Sequence, residues 1–251
     1  MKILCATDFS ESSTHAANVA ARWAHLLGDT LVLAHAVDLT LYPAPAEQGM
    51  YPANFEAVLI DGAEETLARE ANDLRRHGVI VETQVLLGPA GIAIAAHADK
   101  VQARLIVLGS HGMQPLRRWL WGSVAEAVTQ HARQPTLVVS PEALRLPGET
   151  EGLRLLVALD ESAASDSAVH WVRTLRRSLP VDVTFLHYYH PVAERARLGL
   201  ADTPRASVGD DVQVAGVVAE RLRKRVGDLP GDGDVAWLVE SNWMSVGARL
   251  S

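Results

Sequence analysis

Residues 105–123 read LIVLGSHGMQPLRRWLWGS: an apolar tetrapeptide, glycines at Gly109 and Gly112, nine further residues, then Gly122-Ser123. Leu105 to Leu108 has the unbroken apolar character of a strand buried on both faces. From Ser123 onward the chain carries helical spacing. Strand, glycine-rich loop and helix in that order can wrap backbone N–H groups around a phosphate chain. Ligands of parallel sheets sit off the carboxyl ends of the strands. A helix start adds unpaired donors and the positive end of its dipole. Ser123 with Glu126 fits the S-x-x-E capping box, which places the helix start at Ser123. The competing reading is a glycine-rich turn with no ligand.

The commoner phosphate loops are absent from the sequence. No G-x-x-x-x-G-K-[ST] occurs, which removes a P-loop, and no G-x-G-x-x-G follows the first apolar run, which argues against a dinucleotide fold. Zinc-protease, redox and hydrolase-elbow motifs (H-E-x-x-H, C-x-x-C, G-x-S-x-G) are missing as well. His187 and His190 would point to opposite faces at a strand end, so they read as a packed terminus rather than a metal pair. Neither a catalytic residue nor a metal ligand set is expected.

Composition sets the outer bounds. With 251 residues, 48% hydrophobic and 21% charged, the chain can bury one large or two ordinary cores. A net charge of −7 argues against nucleic acid and anionic lipid as partners. No apolar stretch approaches the ~20 residues that span a bilayer. The single cysteine, Cys5, allows no intrachain disulfide. The first residues reach Thr7-Asp8 too soon for a signal peptide, so a reduced, cytoplasmic setting is the expectation.

The chain repeats itself. Ile3-Leu-Cys-Ala-Thr-Asp8 aligns with Leu155-Leu-Val-Ala-Leu-Asp160 at an offset of 152, and at that offset Ser10 meets Ser162, Ser13 meets Ser165 and His35 meets His187. The seam has linker composition, Pro147-Gly148-Glu-Thr-Glu-Gly152. The expected division is a first domain over 1–143, a linker over 144–152 and a second domain over 153–251. In the first copy, strands are expected over 2–7, 30–37, 80–87, 104–108 and 135–139, with helices over 12–27, 56–77, 90–99 and 123–132. In the second copy, strands are expected over 154–159, 181–188 and 235–240, with helices over 163–177 and 210–227. A glycine loop carried across at the third strand's offset would fall beyond residue 251, so the second domain is expected to be incomplete, either because the sequence is a truncated one or because the domain has lost its second half. Alternating apolar strands and amphipathic helices imply an α/β fold: a doubly wound open parallel sheet with helices on both faces, present twice.

Gly109-x-x-Gly112-(nine)-Gly122-Ser123, with its strand and helix flanks, resembles the nucleotide signature of the universal stress protein family in its ATP-binding branch. That resemblance implies an adenine nucleotide alpha hydrolase-like fold and ATP as the ligand, with magnesium as an optional companion. It implies that Thr7-Asp8 meet the adenine or ribose end, although Asp8 alone can also favour the helix start electrostatically. Val37, at the end of the second strand, matches the position whose backbone reads the adenine edge. Gly109 and Gly112 would let the main chain approach the phosphates and adopt positive φ where needed. Gly122, Ser123 and Val124 would present amides. His111 reads either as a phosphate or ribose contact or as an exposed loop residue, and Arg117 and Arg118 either as γ-phosphate contacts or as covers for Trp119 and Trp121. With no glycine loop beyond Asp160, one nucleotide per chain is expected. The function implied is a nucleotide-dependent stress sensor. A slow magnesium-dependent ATPase or phosphotransferase, and a nucleotide-free dimerising module, stand as rivals. The resemblance also implies that the last strand pairs with a counterpart, and Thr136–Ser140 is the edge expected to join a homodimer.

Overall fold

The computed structural model describes residues 1–42, 54–110, 122–140, 153–199 and 208–241. It divides into two compact units, Met1–Leu146 and Pro147–Ser251. Among the described residues of unit 1, five parallel strands take the order β3-β2-β1-β4-β5: β1 (Lys2–Ala6), β2 (Thr30–Val37), β3 (Val81–Leu87), β4 (Ala103–Gly109) and β5 (Thr136–Val139). Four helices connect them: α1 (Glu11–Leu27), α2 (Phe55–Arg75), α3 (Ala90–Lys100) and α4 (Ser123–His131). A single 3-10 turn, Leu39–Leu41, lies outside the sequence expectation; Asp38 opens it by accepting from the Thr40 amide at 3.0 Å.

Local chemistry sets the helix ends. Ser10 caps α1 through the Ser13 amide, and Gly28 closes it at φ 64, a left-handed turn that glycine adopts without steric cost. The α1 stripe Ala16, Ala17, Val19, Ala20, Trp23 and Ala24 is buried, and α1 packs on β1, β2 and β4. On one face of the sheet, Leu4, Ala6, Val32, Ala34 and Leu86 meet Ile94 and Ala98 of α3 with Ala125 and Val128 of α4. Those two helices touch so closely at Gly91 that a Cβ there would stand 2.4 Å from the Ala127 methyl. Only glycine permits that approach.

Unit 2 repeats the first half of this plan. Its three described strands, β6 (Leu153–Ala158), β7 (Val181–Tyr189) and β8 (Val235–Ser241), are parallel in the order β6-β7-β8. Helices α5 (Ala163–Arg176), α6 (Pro191–Arg197) and α7 (Val208–Val226) complete it. The seven-residue α6 escapes the periodicity argument because it is under two turns long; Pro191 at its first turn is the only local signal. The repeat extends to single atoms. His35 Nδ1 lies 2.8 Å from the Thr7 carbonyl oxygen, and His187 Nδ1 lies 2.7 Å from that of Leu159. His187 is thus a packed strand residue. Among the described residues no group of three His, Cys, Asp or Glu could hold a metal ion, and no helix is long and apolar enough to cross a membrane.

Candidate functional site

In the order β3-β2-β1-β4-β5 the chain moves one way from β1 through β2 to β3 and the other way from β4 to β5. The strand order therefore reverses between β1 and β4, and such a switch point opens a crevice at the carboxyl ends of the strands. Cys5 pairs with Val107, so Thr7-Asp8 and Gly109-Ser110 leave the sheet side by side.

The β1 side is a closed hydrogen-bonded corner. Thr7 is buried, and its hydroxyl lies 3.1 Å from both Ser13 Oγ and Glu70 Oε2 while accepting from the Phe9 amide at 3.0 Å. The Thr7 side chain thereby ties the end of β1 to α1 and α2 at this corner. Asp8 Oδ1 accepts from the Ser10 amide at 3.1 Å and from Ser10 Oγ at 2.5 Å. Burial pushes the Asp8 carboxyl up, but the serine and amide donors outweigh it and hold the group below the ordinary carboxylate range. Asp8 is therefore ionised and fixed in orientation. Phe9 adopts φ 65, and its ring stacks on His35 with centroids 4.4 Å apart. Val37, at the end of β2, gives its carbonyl to the Gly88 amide at 3.0 Å, which leaves that oxygen one further lone pair.

Glu70 and Ser110 are site residues that the sequence does not reveal. Glu70 reaches this corner from α2. Burial pushes its carboxyl above the usual range, against hydrogen bonds from Thr7 and Thr14, and the Asp8 charge adds to the rise. Its other oxygen, Oε1, is buried without a hydrogen-bond partner. A lone glutamate in an exposed-looking helix gives no signal. Ser110 sits between two conspicuous glycine positions and is buried at 7% exposure.

On the β4 side the structure corrects two expectations. Gly109 is not among the residues of positive φ; it is a glycine because α1 lies against it. A Cβ at Gly109 would stand 2.8 Å from Ser12 Oγ and 3.0 Å from the Ser12 carbonyl oxygen. Ser123 is not the N-cap of α4. Gly122 takes that place in extended conformation (φ −60, ψ 149), no side chain caps the helix, and the Glu126 amide donates to the Gly122 carbonyl. The S-x-x-E pattern thus starts one residue too late to form a capping box.

Ser110 joins the two ends of the loop. Its amide donates to the Val139 carbonyl at 2.9 Å, and its carbonyl accepts from the Gly122 amide at 2.8 Å. Gly109-Ser110 and Gly122-Ser123 are therefore brought together across 12 positions of chain. Beyond Gly122, the amides of Ser123, Val124 and Ala125 have no acceptor inside the helix. Ser123 and Val124 are exposed there, and Ala125 is buried. Of the expected contacts, Thr7, Asp8, Val37, Gly109, Gly122, Ser123 and Val124 are seen at the carboxyl ends of β1, β2 and β4 or at the start of α4; His111 and Gly112, with Arg117 and Arg118, lie outside the described residues.

Known proteins share this architecture. A model of the universal stress protein family matches residues 1–140. Universal stress protein MJ0531 of Methanocaldococcus jannaschii is 33% identical over 138 residues, covering 55% of this chain and 81% of that protein. The solved structure of hypothetical protein MJ0577 is 27% identical at a TM-score of 0.50, covering 56% of this chain and 96% of the other. A universal stress protein from Archaeoglobus fulgidus DSM 4304 covers 96% of this chain and 78% of its own at a TM-score of 0.64 and 17% identity, a likeness of fold across both units. With more than half its length matched by the family model and this sheet order beneath it, the chain belongs to the universal stress protein family.

Proposed function

We propose that unit 1 binds one adenine nucleotide, ATP, at the switch point between β1 and β4, and that the protein acts as a nucleotide-dependent stress-response sensor in the cytoplasm. The observation that carries this is the Ser110–Gly122 hydrogen bond. It holds an uncapped helix start beside the ionised, oriented carboxylate of Asp8. The amides of Ser123, Val124 and Ala125, with the Ser123 hydroxyl, would receive phosphate oxygens, where the helix dipole favours negative charge. Asp8 and the Val37 backbone would face the ribose and base, as the family resemblance implies. Gly109, His111 and Gly112 would line the phosphate path. Magnesium enters as the triphosphate's own counter-ion.

A fixed carboxylate at the crevice also favours one second reading, slow magnesium-dependent hydrolysis, which requires turnover that disappears in Asp8→Ala. β5 is the outer strand of its sheet, and three of its four residues are half-buried, which supports a homodimer joined through Thr136–Ser140. Light scattering that shows a monomer across a wide concentration range contradicts that dimer.

The nucleotide reading is tested by Gly122→Asp. Gly122 already holds the extended conformation of an N-cap, so aspartate there adds a few tenths of a kcal/mol of helix stability. The same carboxylate occupies the amides intended for phosphate. The variant should melt no lower than the parent and bind ATP at least about tenfold more weakly in calorimetry, a loss of ~1.4 kcal/mol. Unchanged affinity contradicts the site. No affinity in the parent protein favours the nucleotide-free module.

A further inference from the structure

Half-buried Glu70 is joined to Asp8 by an unbroken line of hydroxyls. Glu70 Oε2 lies 3.1 Å from Thr7 Oγ1, and Thr7 Oγ1 lies 3.1 Å from Ser13 Oγ. Ser13 Oγ lies 3.3 Å from Ser10 Oγ, and Ser10 Oγ lies 2.5 Å from Asp8 Oδ1. A hydroxyl gives one hydrogen bond and takes two, and its hydrogen turns to suit the partner. One proton on Glu70 satisfies that rule at every link: Glu70 donates to Thr7, Thr7 to Ser13, Ser13 to Ser10 and Ser10 to ionised Asp8. The second acceptor place is filled by the Phe9 amide on Thr7, the Asp8 amide on Ser13 and the Ser13 amide on Ser10.

Without that proton the line has two ends that both need donors. Thr7 turns to Glu70, Ser10 stays on Asp8, and Ser13 falls back on the Ser10 carbonyl oxygen at 3.0 Å. Glu70 Oε1, buried without a hydrogen-bond partner, then carries charge that no donor stabilises. The surroundings favour the proton too. The charges acting on Glu70 are the carboxylates of Asp8 and Asp73, Thr14 on α1 gives it a hydrogen bond, and burial keeps the Cys5 thiol of β1 neutral. On the same face of the sheet β2 carries His35, tied through Nδ1 to the Thr7 carbonyl oxygen, while β3 carries Val81, Thr83 and Val85.

We propose that Glu70 and Asp8 hold one proton between them through the Thr7–Ser13–Ser10 line, and that this proton sets how strongly the crevice accepts an anion. Its passage is balanced within the line. The Glu70 O–H bond breaks, each hydroxyl hands on its own hydrogen and takes its neighbour's, and an O–H bond forms on Asp8. At rest the proton sits on Glu70, because the serine and amide donors at Asp8 favour its ionised form. A negative ligand beside Asp8 favours the protonated pair, so its binding takes up a proton wherever Glu70 is otherwise ionised. Affinity therefore falls as pH rises through the Glu70 titration. Glu70 acts through Asp8 and is a positioning residue. Unit 2 has no such line, since Leu159 stands in the place of Thr7 and Ser165 Oγ reaches Asp160 directly at 2.6 Å. The shared proton needs no ligand; only its effect on affinity rests on the nucleotide site proposed above.

The test follows the carboxyl carbons of Glu70 and Asp8 in the full chain by carbon-13 NMR from about pH 3 to about pH 8. The Asp8 signal should move twice, once at its own titration and again with Glu70. Thr7→Val cuts the line and leaves both charges, so the second movement should shrink at least about threefold; Thr7→Ser should restore it. Ser13→Ala cuts the line at another link and decides the matter where Thr7→Val fails to fold. A single movement in the parent, or a second one of unchanged size in the cut variants, overturns the shared proton. ATP is then titrated by calorimetry into the parent and into Glu70→Gln, whose amide gives Thr7 the same hydrogen bond at any pH. Between about pH 5 and about pH 8 the parent's affinity should fall about threefold further than the variant's, the titration of ATP being common to both. Equal profiles overturn the effect on affinity. A parent that binds no ATP removes that effect together with the nucleotide site, and the NMR result still decides the shared proton.

Discussion

The tips of β1 and β6 are one design built twice and completed differently. Asp8 Oδ1 accepts from the Ser10 amide at 3.1 Å, and Asp160 Oδ1 from the Ser162 amide at 3.0 Å. Phe9 and Glu161, the next residues, both take a positive φ, 65 and 64. Beyond that turn the two units diverge. In unit 1 the Phe9 ring stacks on His35, and β4 with α4 brings a glycine-lined junction alongside. In unit 2 Glu161 joins buried Glu194 in a network with Arg197 and Arg221. The carboxylate–serine corner is therefore a turn that sustains itself. It recurs in both units, so in the proposed function the β4–α4 junction, not this corner, marks the nucleotide site.

The comparison can be broken most forcefully at Gly109. Gly109→Val drives methyl groups into the Ser12 main chain and should cost up to about 3 kcal/mol, with nucleotide binding lost. In unit 2, Ala164→Val enlarges the residue that repeats Ser12, meets no β4 tip among the described residues and should leave the Tm unchanged within error. An equal loss in both variants would mean that a strand end already fills unit 2.

Arg221→Met should come next, at about 1–2 kcal/mol, because it strips two charged donors from the buried Glu194 carboxylate. Thermal melts check this, and nucleotide affinity should not move. Asp8→Ala and Asp160→Ala should each lower the Tm slightly, and only the first should weaken ATP binding in calorimetry. Both carboxyls sit below their ordinary pKa, Asp160 at about 2, through serine and amide donors. Their stabilisation is present above about pH 4 and is lost as pH falls through the folded values. The two variants should therefore converge on the parent's Tm in acid.

The smallest effect is expected at Glu70. Burial raises its folded pKa above 4.5, so folding takes up a proton there and stability falls as pH climbs through the raised value. Glu70→Gln should melt higher than the parent at pH 7, and the gain should disappear below about pH 4.5. A gain that persists in acid would assign the effect to packing instead of charge.

The periodic parts of the molecule are legible in the sequence. Strands buried on both faces give continuous apolar runs, and α1 declares itself through Ser10, its alanine stripe and Gly28. The repeat offset foresees Asp160 and the pairing of His35 with His187. The features that escape depend on neighbours distant in sequence. Glu70 reaches Thr7 across 63 positions, and nothing in its own helix marks it. Ser110 matters through its backbone, which residue type does not reveal. Gly109 reads in sequence as a phosphate-loop glycine, yet the contact that forbids a side chain there comes from Ser12. Ser123 reads as a cap because its motif is short, and Gly122 occupies the cap itself.

The count of nucleotides per chain tests the central claim most directly. Titrating the full protein with ATP in a calorimeter should give one site per chain, abolished by Gly122→Asp and untouched by Asp160→Ala. Two equivalent sites, or one that survives Gly122→Asp and is lost with Asp160→Ala, would contradict the assignment to the β4–α4 junction.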